Sequence, residues 1–173
     1  MSLPRVLVLG TDDTLNMAFL PELAALRGKG FSLPPTTTSP EVRNNPLQGF
    51  VIGQLATEIE LRAKRQLFSL TLTSNSRSIC TISFDPSKCG GELRIAEKSV
   101  AVPPTTSGEH KFHLYFDASV VECLADHSAA LTARVYTAPR GPITVSAGTK
   151  DLQSFSSLNV WEVKPISKDR LTS

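Results

Sequence analysis

The sequence predicts an all-β protein, an antiparallel two-sheet β-sandwich with one short helix near the N-terminus. Three observations carry this expectation. Apolar and polar residues alternate with a period of two through most of the chain after Gly53, the pattern of strands with one buried and one wet face. Turn-forming clusters separate these runs at short intervals: Ser74-Asn75-Ser76, Asp85 to Gly91, Pro103 to Gly108 and Ala138 to Pro142. Such spacing, without a long helical pattern, indicates many short strands. The composition agrees: 19 Ser, 16 Thr and 12 Pro in 173 residues are more than a helix-rich chain normally carries.

Taken in order, Arg5 to Leu9 and Leu15 to Leu20 flank the turn signal Gly10-Thr11-Asp12-Asp13 and read as a hairpin. Pro21 to Gly28 reads as the helical turn. Pro21 suits a helix start, Glu22 lies near the positive end, and Gly28 suits the stop. Leu33 to Pro46, with four prolines and Thr36-Thr37-Thr38, reads as an extended connector. Residues 1–46 therefore form a hairpin, helix and connector, and 47–173 the sandwich, together one structural unit. Within the sandwich, Ile59, Leu61 and Ala63 alternate with Glu58, Glu60 and Arg62. The same holds for Phe68, Leu70 and Leu72, for Cys80, Ile82 and Phe84, and for Phe112, Leu114 and Phe116. No internal repeat is visible, which disfavours a propeller or solenoid.

Charge and motifs exclude several function classes. With 18 Lys+Arg against 16 Asp+Glu the net charge is +2, too balanced for a protein that neutralises phosphate backbones, so no nucleic-acid partner is expected. The longest apolar runs, such as Val6-Leu7-Val8-Leu9, are far short of the roughly 18 residues that cross a membrane, and neither a membrane partner nor a signal peptide is expected in these residues. There is no P-loop, no G-x-G-x-x-G and no G-x-S-x-G, hence no expected cofactor. Cys80, Cys89 and Cys123 have no zinc spacing. Cys80 and Cys123 lie in alternating apolar stretches and should be buried, whereas Cys89 lies in a Gly-rich turn and should be exposed. His110 and His113, three apart, point to opposite faces if both are on a strand, so no metal site is expected, and both read as solvent-facing.

Paired carboxylates leave two places for chemistry. Asp12-Asp13 sit in a turn, where Asp suits the backbone. Asp117, Ser119 and Glu122 lie in Phe116-Asp117-Ala118-Ser119-Val120-Val121-Glu122-Cys123, which reads strand, tight turn, strand. One reading has Asp117 and Ser119 bonding the turn backbone and Glu122 exposed. The other has Asp117, Ser119 and Glu122 forming a polar cluster that grips sugar hydroxyls. The aromatic platforms are few: Trp161, Tyr115 and Tyr136, with Trp161 expected in the core or packed between strands.

The segment His113 to Cys123 resembles the F-V-D-x-S-x-V-E-V hairpin of the C-terminal module of glycoside hydrolase family thirty-two, the family of invertases, levanases and inulinases. Leu131-Thr132-Ala133-Arg134-Val135-Tyr136 is similar to that family's L-T-S-R-V-Y/F strand. Leu158 to Lys164 is similar to its closing L-x-V-W-E strand, and Thr81 to Asp85 with Gly91-Glu92-Leu93 to its T-I-x-Y-D and G-E-L hairpin. Leu3 to Leu7 and Pro21 to Arg27 resemble the segment where such chains leave the catalytic domain.

The resemblance implies a jelly-roll or concanavalin-like sandwich whose partner is an N-terminal β-propeller bearing the catalytic carboxylates. This sequence has no N-D-P-N-G and no R-D-P, so no catalytic residue is expected here. Glu122-Cys123 spells the family's E-C motif, but in the sandwich hairpin rather than in the propeller. Relatives often carry Arg, Lys or His where Ala118 stands. The resemblance implies a module that steadies the propeller and shapes a homodimer, or one that binds terminal fructose of a fructan through Asp117, Ser119 and Glu122. It further implies a secreted or periplasmic setting.

Overall fold

The computed structural model describes residues 3–11, 13–33, 47, 50–53, 56–88, 90–137, 139–147 and 155–165. Asp12, Cys89 and all of the Pro-rich connector after Leu33 lie outside these residues. The strands are β1 (Arg5–Leu9), β2 (Leu15–Phe19), β3 (Arg27–Ser32), β4 (Val51–Ile52), β5 (Ala56–Lys64), β6 (Phe68–Ser74), β7 (Arg77–Asp85), β8 (Glu92–Ile95), β9 (Lys98–Ala101), β10 (Glu109–Asp117), β11 (Val120–Ala125), β12 (Ala129–Arg134), β13 (Ile143–Ala147) and β14 (Phe155–Val163). They form two six-stranded antiparallel sheets and one hairpin. The first sheet runs β12-β11-β10-β5-β14-β3, the second β4-β13-β6-β7-β8-β9, and β1 pairs only with β2.

The alternation places the core between the sheets as expected. Ile59, Leu61, Phe112, Leu114 and Phe116 face inward from the first sheet, and Phe68, Leu70, Leu72, Ile82 and Phe84 from the second, all buried. Phe68 joins the layers, with edge-on contacts to Phe112 at 5.2 Å and Phe155 at 5.3 Å between ring centroids. Two irregularities keep the core continuous. Between Phe155 and Ser157 the register of β14 shifts, so Phe155 and Leu158 both turn inward although they are three positions apart. A second shift, between Leu72 and Thr73 of β6, leaves Ile79 of β7 without a partner and buries it beside Cys80. The β6–β7 turn has Asn75 and Ser76 at φ 48° and 62°, the mirror-image turn that matches strand twist.

The N-terminal segment departs from expectation. Pro21–Leu26 is a 3₁₀ helix, and Arg27, at φ −60° and ψ 127°, already belongs to a strand. Gly28 is thus not a helix stop but part of β3, which pairs with β14 and completes the first sheet. The sheet therefore draws Arg27–Ser32 from the segment ahead of residue 47. Glycine is a poor helix former, and Gly30 is needed where it stands: a Cβ there would lie 2.5 Å from Trp161 Cδ1. Trp161 consequently packs between strands on the outer face of the sheet, opposite Gly30 and Glu58, rather than in the core.

The expected β1–β2 hairpin is present and, with the 3₁₀ helix, covers part of the outer face of the first sheet. Phe19 and Leu23 form a second apolar cluster with Tyr115 and Leu124, Phe19 standing edge-on to Tyr115 at 4.8 Å. That face was expected to be wet. Instead Glu58 is 0%, Glu122 2% and Tyr115 5% exposed, because side chains from residues 3–27 cover them.

Candidate functional site

Strand pairing sets the outer face of the first sheet in rows. Lys111, Arg62 and Ser157 form one row across β10, β5 and β14; His113, Glu60 and Asn159 the next; Tyr115, Glu58 and Trp161 the third. On β11, Leu124 adjoins His113 and Glu122 adjoins Tyr115.

Glu58 is the hub of the third row. Arg27 Nε donates to Glu58 Oε2 at 2.8 Å and Arg27 Nη2 to Oε1 at 2.7 Å, a bidentate pair. His113 Nε2 donates to Oε1 at 2.7 Å, and the Tyr115 hydroxyl also donates. Burial by itself raises a carboxyl, but these donors outweigh it and hold Glu58 down at about 2. The same contacts, led by the bond to Glu58, raise Arg27. Burial first, then the charge on Glu58, raises the Tyr115 phenol. Arg27 also bonds Glu60 and stacks over Trp161, 3.9 Å from its ring centroid.

Oxygen and nitrogen atoms of Glu58, Glu60 and His113 lie within 4.8 Å of one another, so this trio is the group among the described residues that can reach a metal ion. Both Glu58 oxygens already accept from Arg27, and a cation would have to displace that guanidinium. The chemistry of the donor set is that of an ion-pair network tying β3 to β5 and β10.

The three proposed sugar-contacting residues divide. Asp117 and Ser119 stand partly exposed at the β10–β11 bend, where the Ser119 N–H donates to the Asp117 carbonyl at 2.5 Å and Ala118 has φ 52°. Glu122 is not an exposed strand residue: its Oε1 accepts from the Leu3 N–H and its Oε2 from Arg5 Nη2, both at 2.8 Å. It faces the N-terminal segment, not the bend. Tyr136 is 91% exposed; Tyr115 is covered and offers no platform.

His110 and His113 do point to opposite faces, but His110 is not solvent-facing. It is fully buried against Phe84, 4.8 Å between ring centroids, with Nδ1 2.5 Å from Asp126 Oδ2. The signal was present: His110 shares the period-two phase of Phe112, Leu114 and Phe116.

A feature that sequence reasoning missed lies over the first two rows. The sheet, β2 and the β11–β12 turn enclose an open cleft of about 420 Å³, lined by Ala18, Glu60, Arg62, Lys111, His113, Leu124, His127, Ser157 and Asn159 among others. Its polar side chains come from three strands and a turn far apart in sequence, so no local motif announces it.

The family model of the C-terminal domain of glycosyl hydrolases family 32 matches residues 22–162. The chain belongs to this family. A search of curated proteins finds no match. Among solved structures the chain is similar to the family 32 β-fructofuranosidase of Bombyx mori, with 18% identity and a TM-score of 0.63, over 94% of this chain and 32% of that one. It is similar to the sucrose-6-phosphate hydrolase of Lactobacillus gasseri at 14% identity and a TM-score of 0.62, over 94% and 33%. For fructan 1-exohydrolase IIa of Cichorium intybus the values are 13%, 0.60, 94% and 41%. This family 32 C-terminal domain thus shares its fold with those enzymes and spans 32 to 41% of their length.

Proposed function

We propose that this family 32 domain is the non-catalytic C-terminal module of a β-fructofuranosidase-type enzyme acting on sucrose or fructans. In this reading it packs against an N-terminal β-propeller catalytic domain, steadies it and aids oligomerisation, in a secreted or periplasmic setting. The match over residues 22–162, in a chain covering a third of its relatives' length, carries the reading. An apolar surface supports it. Leu7, Val8, Leu9 and Leu15, in the hairpin just ahead of the matched segment, are 59, 56, 67 and 56% exposed. A two-stranded ribbon with open apolar side chains is marginal by itself, and a neighbouring domain would cover it.

Two measurements test the proposal. Residues 1–173 incubated with sucrose, inulin or levan should release no fructose; release that is lost in Glu122→Gln would overturn the non-catalytic reading. Coding sequence preceding Met1 should carry a propeller with W-M-N-D-P-N-G, and a different domain there would remove the proposed partner.

A second reading, a module binding terminal fructose of a fructan, is favoured by the partly exposed carboxylate and hydroxyl at the β10–β11 bend. It would use Asp117 and Ser119, with Glu122 joining on release from Arg5. Saturable levan binding lost in Asp117→Ala supports it; no binding leaves the first reading.

A further inference from the structure

We propose that the cleft on the outer face of the first sheet binds an oxyanion, either free phosphate or the phosphate of a sugar ester. The inference rests on the cleft itself and does not depend on the partner domain. Arg62 and Lys111 are direct cross-strand partners on β5 and β10, and both line the cleft. Like charges placed opposite each other across a ladder repel and destabilise the pair. Among the described residues neither makes a salt bridge, whereas Arg5, Arg27 and Arg94 each do.

The carboxylates nearest this row are already committed. Glu60 accepts from Arg27. Asp126 turns its oxygens to His110 Nδ1 at 2.5 Å and to the backbone N–H of Lys111 at 2.7 Å. Of the remaining polar lining, Ser157 beside Arg62 and Asn159 in the adjoining row are able to donate, while His113 already gives its Nε2 proton to Glu58. His127 Nδ1 donates to the Met17 carbonyl at 3.1 Å, so Nε2 of the neutral ring is an acceptor and His127 shapes the wall of the cleft rather than donating to the anion. A volume of about 420 Å³ falls in the range of small-molecule sites. Two cations that make no salt bridge among the described residues, with a hydroxyl and an amide beside them, suit the acceptor oxygens of a phosphate.

The test is a titration of residues 1–173, in low-salt buffer, with inorganic phosphate, fructose 6-phosphate and fructose, followed residue by residue through amide NMR shifts. Phosphate and its ester should saturate shifts confined to residues around 62, 111, 127, 157 and 159. Tighter binding of the ester identifies a sugar phosphate as ligand; equal binding identifies the free ion. The double variant Arg62→Gln, Lys111→Gln should weaken binding at least tenfold, and Asn159→Asp, which adds a negative charge, should do the same. These side chains are surface groups of the cleft, and an unchanged circular-dichroism melt verifies that the variants fold. Shifts scattered over the whole surface without saturation, retained affinity in the variants, or equal binding of plain fructose would each overturn the proposal.

Discussion

Replacing Glu58 by Gln keeps the side chain's shape and removes its charge, leaving the partly buried Arg27 guanidinium without its main counter-ion. Removing one partner of a buried pair typically costs about 3 kcal/mol or more. The substitution is expected to lower the urea-unfolding free energy at pH 7 by about 2–4 kcal/mol. The pH dependence gives an independent check. Glu58 titrates at about 2 in the folded chain, below its ordinary 4.5. The stabilisation is therefore complete above pH 4.5 and is lost as pH falls from there towards 2, on the order of 3 kcal/mol in all. Acid unfolding followed by circular dichroism should show that loss in the parent chain and a shallower slope in Glu58→Gln; equal slopes would place the charge outside the stability balance. Alternation in the sequence correctly set Glu58, Glu60, His113 and Tyr115 on one face. It left them wet because their cover comes from Phe19, Leu23 and Arg27, more than thirty residues upstream of Glu58. Periodicity describes a strand's two faces, not what is laid over them. The same limit hid the Leu3 and Arg5 contacts to Glu122.

At the scale of elements, β3 shows how packing overrides a local signal. Pro21 and Glu22 begin a helix as their chemistry suggests, but after six residues the chain turns into a strand. There Arg27 reaches Glu58, and Gly30 admits the Trp161 ring. No local motif distinguishes a glycine that ends a helix from one that makes room for an indole, so β3 was not legible. Gly30→Ala would put a methyl 2.5 Å from Trp161 Cδ1 and 2.8 Å from Nε1. The ring must shift, loosening both its stack with Arg27 and the β3–β14 seam, at a cost of about 1–3 kcal/mol. Trp161 is the sole tryptophan, so its emission reports the change directly. A red-shifted spectrum with a lowered melting temperature is expected, and an unchanged spectrum would contradict the packing described. Gly91 offers a sharper case. It has φ +116°, and an added Cβ would lie 2.8 Å from Phe84 Cε2. Gly91→Ala therefore combines backbone strain with a clash in the core. It should lower the melting temperature more than Gly30→Ala does, while leaving Trp161 emission unchanged below the transition.

For the whole molecule, the two described thiols report whether the sandwich opens as one unit. Cys123 lies on β11 in the first sheet and Cys80 on β7 in the second, 0% and 4% exposed, as their apolar alternating contexts suggested. Burial pushes Cys80 up to about 11 and raises Cys123 as well, so neither carries appreciable thiolate near neutral pH, and alkylation must wait for opening. The Phe68 contacts with Phe112 and Phe155 bind the layers through one aromatic cluster. Opening either sheet exposes that cluster, which couples the two layers. Iodoacetamide pulses along a urea series, read by mass spectrometry of the separate Cys80 and Cys123 peptides, should show both sites protected at low urea. Both should then gain label along one shared transition, coincident with loss of the β-sheet signal. Labelling of Cys80 well before Cys123 would mean that the second sheet opens alone, and that the first sheet, braced by the N-terminal hairpin and the Arg27–Glu58 network, is a separate unit of stability.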